Sequence, residues 1–343
     1  MKKHKIFSII NIDEFSSTPK YRQISNSILE GIRLNLFKVG DIMPSINEIS
    51  FEFDISRMTA EKGYNYLKRI GILDSVPGKG YFIKNTDHNQ NFKVFMLFNK
   101  LSSHKKIIYD SFVESLGDMA SIDFYIYNND FNLFRKLITN RKDDYTHIVI
   151  IPHFTENEDL AYDLINSLQK DKLILMDKLI PKITGEFGAV YENFEKDIYG
   201  ALTQAIPQLQ KYKSIKLIFP EITYHSREIV KGFKNFCIDN VFNYEIINNL
   251  ENEIIERETV YINLVEDDLV SLIQEIIAQN LKLGVDVGII SYNETPLKSL
   301  LLDGLTTIST DFVAMGSTVA QLILDNSKSK IEIPFTLTLR NSL

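Results

Sequence analysis

Apolar positions change rhythm once along this chain. Up to about residue 70 they recur every three or four places, and beyond residue 92 they gather in short uninterrupted runs. The first rhythm is that of helices packed on one face, and the second that of buried strands. Tyr21, Ile24, Ile28, Ile32 and Leu36 share one helical face, so a helix is predicted to open at Pro19. Gly40-Asp41 marks a turn. Ser45 and Glu48 have the spacing of a capping box, which starts a second, short helix with Ile49 and Phe53 inward. Ser56 is placed to cap a third helix, with Ala60, Tyr64 and Leu67 as its buried stripe. Arg57, Glu61, Asn65 and Lys68 then lie on its opposite face. Two strand-like runs, Ile70 to Val76 and Tyr81 to Ile83, flank the turn Pro77-Gly78-Lys79-Gly80.

Three helices followed by a hairpin with a basic tip predict a winged helix-turn-helix over residues 1–84. Its third helix has the size of a major-groove reader. Arg57 and Thr59, near its start, would reach base edges or phosphates. Lys79 would touch the DNA backbone or minor groove from the wing tip. Gly78 and Gly80 would let the main chain come close.

The segment 85–91 is polar, contains no aliphatic residue, and is expected to be a linker. Strand-length runs follow at Val94–Phe98, Ile122–Tyr127, His147–Ile151, Leu173–Met176, Ile215–Phe219, Val260–Val265 and Val287–Ser291. Helical stretches such as Glu158–Lys170 and Asp268–Gln279 lie between them. Strands alternating with helices imply parallel sheets, and about 250 residues of this kind imply two doubly wound lobes. Ligands of such sheets bind beyond the carboxyl ends of the strands. Asn99, Asp177, Asp267 and Asn293 stand there and would hold a polar, hydroxyl-rich ligand. Ile331, Ile333, Phe335, Leu337 and Leu339 alternate with polar residues or proline, as in one last half-buried strand.

Charge sharpens this division. Net charge is −7 over 343 residues, which argues against nucleic acid as a partner for the whole chain. Residues 1–85, however, hold 13 Lys and Arg against 9 Asp and Glu, whereas the remainder holds 25 against 36. The positive excess sits where the DNA reader is expected. The apolar run after the basic start is too short for a signal peptide, and no stretch is long enough to cross a membrane. One cysteine, Cys237, allows no internal disulfide, so a reducing cytoplasm is expected. His104, His147, His153 and His225 show no metal-ligand spacing, and no metal or other cofactor is expected. There is no Walker loop, nucleophile elbow or dinucleotide glycine fingerprint, so an enzyme is not expected.

Two resemblances add to this. Pro19-x-Tyr21-x-Gln23-Ile24, Gly40-Asp41-Ile42-Met43-Pro44-Ser45, Ile55-Ser56-Arg57-Met58-Thr59 and Gly78-Lys79-Gly80-Tyr81 together resemble the GntR family of bacterial transcription regulators. The resemblance implies DNA contacts from Ser45, Asn47, Ser56, Arg57, Thr59, Lys62, Lys79 and Gly80. Asn47 and Glu61 stand where the family usually has arginine, so its operator does not carry over. Val287 to Thr295, Leu305 to Ile308 and Asp311-Phe312-x-x-Met315-Gly316 resemble the effector domain of the lactose/galactose-repressor family. That domain has the two-lobed fold of type I periplasmic sugar-binding proteins. The resemblance implies a ligand cleft lined by Asn99, Asp177, Arg227, Asp267 and Asn293 and a carbohydrate effector, with Lys178, Glu266 and Asn293 departing from the family's usual residues. It also implies that the chain recrosses between lobes: lobe 1 at about 92–190 and 293–324, lobe 2 at about 191–292 and 325–343. The expected protein is an α/β, ligand-controlled, homodimeric regulator of a palindromic operator in double-stranded DNA. Two readings compete with it: a body that only dimerises without ligand, and a body that acts chemically on a sugar.

Overall fold

The computed structural model describes residues 6–78, 80–87, 92–251 and 253–343. Lys79 and most of the expected linker, residues 88–91, lie outside the described residues. The chain divides into two compact units. The first comprises Met1–Phe98, Leu116–Tyr127 and Lys136–Ile150; the second comprises Asn99–Ser115, Asn128–Arg135 and Ile151–Leu343.

The first unit opens with helices α1 (Lys20–Arg33), α2 (Ile46–Glu52) and α3 (Arg57–Arg69), then hairpin β1 (Leu73–Val76) and β2 (Gly80–Ile83). Local chemistry sets these boundaries. Ser45 accepts from the Glu48 amide while Glu48 accepts from the Ser45 amide, completing the capping box of α2. Ser56 accepts from the Thr59 amide and caps α3. Helix α1 stops at Arg33, short of Leu36: Asn35 turns left-handed (φ 57°), and Leu36 is exposed beyond the end. The first hairpin strand likewise starts at Leu73 rather than Ile70, because Gly71 (φ 78°) ends α3. Ile24, Ile28, Ile49, Ala60, Tyr64 and Leu67 share one core. Strands β3 (Phe92–Phe98), β4 (Ala120–Ile126) and β5 (His147–Ile150) complete this unit as a parallel ladder, with β3 central.

In the second unit, β6 (Leu173–Asp177), β7 (Gly188–Tyr191) and β13 (Lys330–Glu332) form one parallel ladder. A six-stranded sheet has the order β14-β12-β11-β10-β8-β9. Its members are β8 (Ser214–Ile218), β9 (Asn243–Ile247), β10 (Thr259–Asn263), β11 (Val287–Tyr292), β12 (Thr306–Thr310) and β14 (Phe335–Thr338). All pairings in it are parallel except β12 with β14. The register aligns Ile218, Asn263 and Ser291, so the carboxyl ends of three strands finish level. Helices α4 (Ser103–Leu116), α5 (Phe131–Asn140), α6 (Glu158–Asn166), α7 (Phe194–Gln204), α8 (Ile206–Leu209), α9 (Arg227–Asp239), α10 (Glu266–Ala278) and α11 (Phe312–Leu324) connect the strands.

The expected lobe boundaries change in two places. Residues 306–310 pair with β11 and stay in the six-stranded sheet instead of leaving it after residue 292; only α11 goes on to pack against β6 and β7. The last alternating run is also not one strand. It splits at Pro334 into β13, paired with β7, and β14, paired with β12. Proline carries no amide proton for either ladder, so the break falls there. The chain therefore passes between ladder and sheet three times: after Tyr191, after Thr310 and after Glu332. The crossings are stitched together, Ile333 N–H donating to Tyr191 O (2.9 Å) and Asp311 N–H to Pro334 O (3.0 Å). Lys196, at the start of α7, pairs with Glu332 of the third crossing, and Asn193 Nδ2 reaches the same carboxylate (3.4 Å).

Asp197 is buried beside these crossings, and its Oδ2 has no hydrogen-bond partner among the described residues. Burial, with the charge of Glu332 adding to it, raises its pKa to about 7. The folded state thus holds a proton that the unfolded chain releases near pH 4. Asp197 supports folding fully below that pH, and the support is lost as pH rises to 7. Asp197→Asn should therefore gain stability relative to the parent chain between pH 4 and 8, measured as the difference in urea midpoints; a constant difference would contradict the buried, protonated assignment. Packing gives a second expectation. A Cβ on Gly232 of α9 would collide with Glu195 O and Ile198 of α7. Gly232→Ala should cost about 1–3 kcal/mol in urea unfolding by forcing the two helices apart.

Candidate functional site

Two surfaces have the chemistry of recognition. The first lies on the helical head. Packing fixes α3 from three sides, leaving its start outside. Tyr64 hydroxyl donates to Pro44 O (2.8 Å), and Ser25 hydroxyl donates to Gly63 O (3.1 Å). Gly63 itself allows α1 to approach closely, since a Cβ there would sit 2.9 Å from Tyr21 O. Ser45, Asn47, Ser56, Arg57 and Lys62 are exposed and Thr59 is half-buried. Ser56 and Thr59 hydroxyls are joined at 2.8 Å, which fixes the first turn. Lys62 Nζ lies 4.3 Å from the Tyr21 ring centre. At the wing, Gly78 and Gly80 adopt φ of 79° and 85°, a conformation that a side chain would strain. The expected tip contact, Lys79, falls outside the described residues.

The second surface is built at strand carboxyl ends in the second unit. Asp177, the last residue of β6, is buried. His153, after β5, donates from Nε2 to Asp177 Oδ2 (2.9 Å), and Lys105 of α4 brings Nζ to 3.3 Å from the same atom. Burial opposes ionisation of Asp177, but Lys105 and His153 overcome it and hold the carboxyl well below the usual range. Glu192, which follows β7, shares a hydrogen bond with Asp177. Burial and the charge of Asp177 push Glu192 well above the usual carboxylate range, so it is a neutral acid. Lys105 also donates to Asn99 Oδ1, while Asn99 Nδ2 donates to Asn129 Oδ1 (2.7 Å).

Tyr224 and His225, beyond β8, extend this network. The Tyr224 ring takes Lys100 Nζ at 4.3 Å, lies 6.0 Å from the His153 ring, and tilts against His225 at 4.3 Å. Burial, together with the positive charge of Lys100 and Lys105, lowers His104 and His225 to about 3. Both are therefore neutral imidazoles. The buried polar atoms without a hydrogen-bond partner among the described residues include His225 Nε2, Asn263 Oδ1, Ser291 Oγ and Tyr292 hydroxyl. The last three stand at the carboxyl ends of β10 and β11. Orphaned donors and acceptors of this kind are costly in a folded interior and mark a place for a polar ligand.

The expected ligand residues fall into two groups. Asn99 and Asp177 are brought together through Lys105. Arg227 and Asp267 are exposed in the first turns of α9 and α10; the Arg227 guanidinium lies 6.0 Å from the Phe219 ring. Asn293 turns left-handed (φ 66°), donating its amide to Ile308 O (2.9 Å) and accepting Lys298 Nζ on its carbonyl (2.8 Å). Among the described residues, none of these three side chains hydrogen-bonds to Asp177. Sequence reading missed Lys105, Glu192 and Tyr224, and took His153 and His225 only as histidines without metal-ligand spacing. Only His153 carried a signal, its position directly after a strand.

Comparison with known proteins bears on the family of the head and the fold of the body. The family model for bacterial regulatory proteins of the GntR family matches residues 20–83. The HTH-type transcriptional repressor YtrA of Bacillus subtilis is 32% identical over 98 residues, covering 29% of this chain and 72% of that protein. The trehalose repressor from Escherichia coli superposes with a TM-score of 0.60 at 13% identity, over 72% of this chain and all of that one. The Lac repressor bound to ONPG in its repressed state gives 0.59 at 14% identity, over 84% of this chain and 92% of that one. The body thus has the two-lobed fold of these repressors' sensor domains. Head and relatives agree: the chain belongs to the GntR family of bacterial regulatory proteins.

Proposed function

We propose that this protein is a transcription regulator that binds double-stranded DNA through its helical head and answers to a small polar effector held by its body. The observation that carries the reading is the capped first turn of α3, exposed at Ser56 and Arg57 on a head of the GntR type. Arg57 has the donor fork for a guanine edge or a phosphate. Ser45, Asn47, Thr59, Lys62, Lys79 and Gly80 would add further DNA contacts, as the likeness to the GntR family implies. Two copies of the chain pair about a two-fold axis and set two heads on a palindromic operator. The modest positive balance of the head favours this arrangement, since one head alone would hold phosphate weakly.

Carbohydrate is the effector class that the strand-end cluster supports best. Amide, hydroxyl and imidazole groups without partners suit hydroxyls, and Tyr224 offers a ring face. The trehalose repressor shares the fold and is named for a sugar, which agrees with this class. Arg227, Asp267 and Asn293 would join the site around a bound ligand. The reading assigns no turnover to the body, in keeping with its family of regulators.

One observation favours a second reading. Asp177 is already engaged by Lys105, His153 and Glu192, as expected of a body that has become a structural dimeriser. A thermal-shift screen against monosaccharides separates the two. Ligand at about 100 times its Kd should stabilise the protein by about 2.7 kcal/mol, and Asn293→Ala or Arg227→Ala should weaken that response. A full panel without any shift would favour the dimeriser.

DNA binding has its own test. On a duplex selected by the intact protein, Arg57→Ala should lose about 1–3 kcal/mol of affinity, with its melting temperature unchanged. Unaltered affinity would remove α3 from the interface.

A further inference from the structure

In the first unit the head is joined to β4 by more than the polar stretch at 85–91. β4 pairs with β3 on one side only, so its other edge offers unsatisfied backbone groups. The segment Asp13–Thr18, just before α1, lies along that edge. Ser17 N–H donates to Phe124 O (2.7 Å), and Phe124 N–H donates to Thr18 Oγ1 (2.7 Å). Ser16 hydroxyl donates to Phe124 O (3.2 Å), and Tyr125 hydroxyl donates to Asp13 (2.9 Å). Thr18 is buried in this contact.

Gln23, buried on the first turns of α1, braces the segment from the head. Its Nε2 donates to Thr18 O (2.8 Å), and its Oε1 accepts Asp13 N–H (2.8 Å). A second contact comes from α3. Tyr66 hydroxyl donates to Asp118 Oδ1 (2.7 Å), just before β4, and Arg69 stands 3.9 Å from the same atom. Arg22 lies over the Tyr66 ring at 4.1 Å. The far end of α3 is thus held while its capped start, with Arg57, stays exposed.

We propose that residues 13–18 and the Tyr66–Asp118 contact form a clamp that fixes the DNA-reading head on the β4 edge, so that the head moves with this strand instead of swinging on a tether. The clamped head is presented ready for DNA, and releasing it adds an ordering cost to every binding event. The consequence for affinity rests on the DNA-binding reading above; the clamp itself does not.

Hydrogen exchange and DNA binding test it together on the full-length protein. In the parent chain the amides of Ser17 and Phe124 should exchange at least about tenfold more slowly than in unfolded reference peptides. Exchange at the reference rate would overturn the clamp, whether or not any duplex binds. Thr18→Val combined with Asp118→Ala should release the arm amides and weaken binding to a selected duplex about tenfold. Arg57 and the rest of the reading face are unchanged in that variant. Released amides with affinity within about twofold of the parent would also overturn the proposal. Should Thr18→Val fail to fold, Ser17→Pro with Asp118→Ala removes the Ser17 N–H to Phe124 O bond instead, at a less buried residue, and is read at the Phe124 amide and in duplex affinity. If the parent selects no duplex at all, the DNA-binding reading fails, and the exchange rates still decide the clamp.

Discussion

A buried, ionised carboxylate is the constraint around which the second unit is arranged. Taking Asp177 out of water costs several kcal/mol, and folding tolerates it only with full compensation. Lys105 supplies the counter-charge from α4, His153 a donor from the loop after β5, and Glu192 a proton from the chain after β7. One carboxylate thereby fixes the relative place of four chain segments. The arrangement also limits what Asp177 does. A carboxylate has about four lone-pair sites, and three partners leave little capacity for a ligand. Buried polar groups without a hydrogen-bond partner stand instead at His225, Asn263 and Tyr292.

The same region explains why the lobe boundaries were hard to read. An alternating pattern reports that one face of a strand is buried, but not against which sheet. Ile331, Ile333, Phe335 and Leu337 keep their alternation across Pro334 while the pairing partner changes from β7 to β12. β9 failed for the opposite reason. It is an edge strand, largely exposed, and has no hydrophobic pattern to detect.

The head was far more legible, because its determinants are local. A capping box needs only four residues, and both Ser45–Glu48 and Ser56–Thr59 close as their spacing predicts. The strand-end cluster depends on residues far apart in sequence. Asn99 and Asp177 were found because each ends a strand visible in the pattern. Lys105 lies within a helix, and Glu192 follows β7, a strand the pattern did not reveal. Tyr224 and His225 sit in a loop whose neighbours only folding supplies. Arg227 was placed by resemblance and Asp267 also by its position after a strand, and the helix starts that carry them leave both exposed.

The clamp on β4 shows how few residues convert an exposed edge into a fixed joint. A strand edge left open invites pairing with another chain. Here Ser16, Ser17 and Thr18 answer it with one amide and two hydroxyls, enough to occupy both backbone groups of Phe124. Proline at position 19 then prevents the segment from continuing as a strand, since it has no amide to donate, and its fixed φ starts α1. Gln23 lies on the first turns of that helix, close enough to bind both ends of the segment it follows. The helix that buries Ile24 and Ile28 in the head is therefore the same helix that braces the arm. A change that loosened α1 would be felt at the DNA-reading helix and at the β4 edge together, because one element serves both.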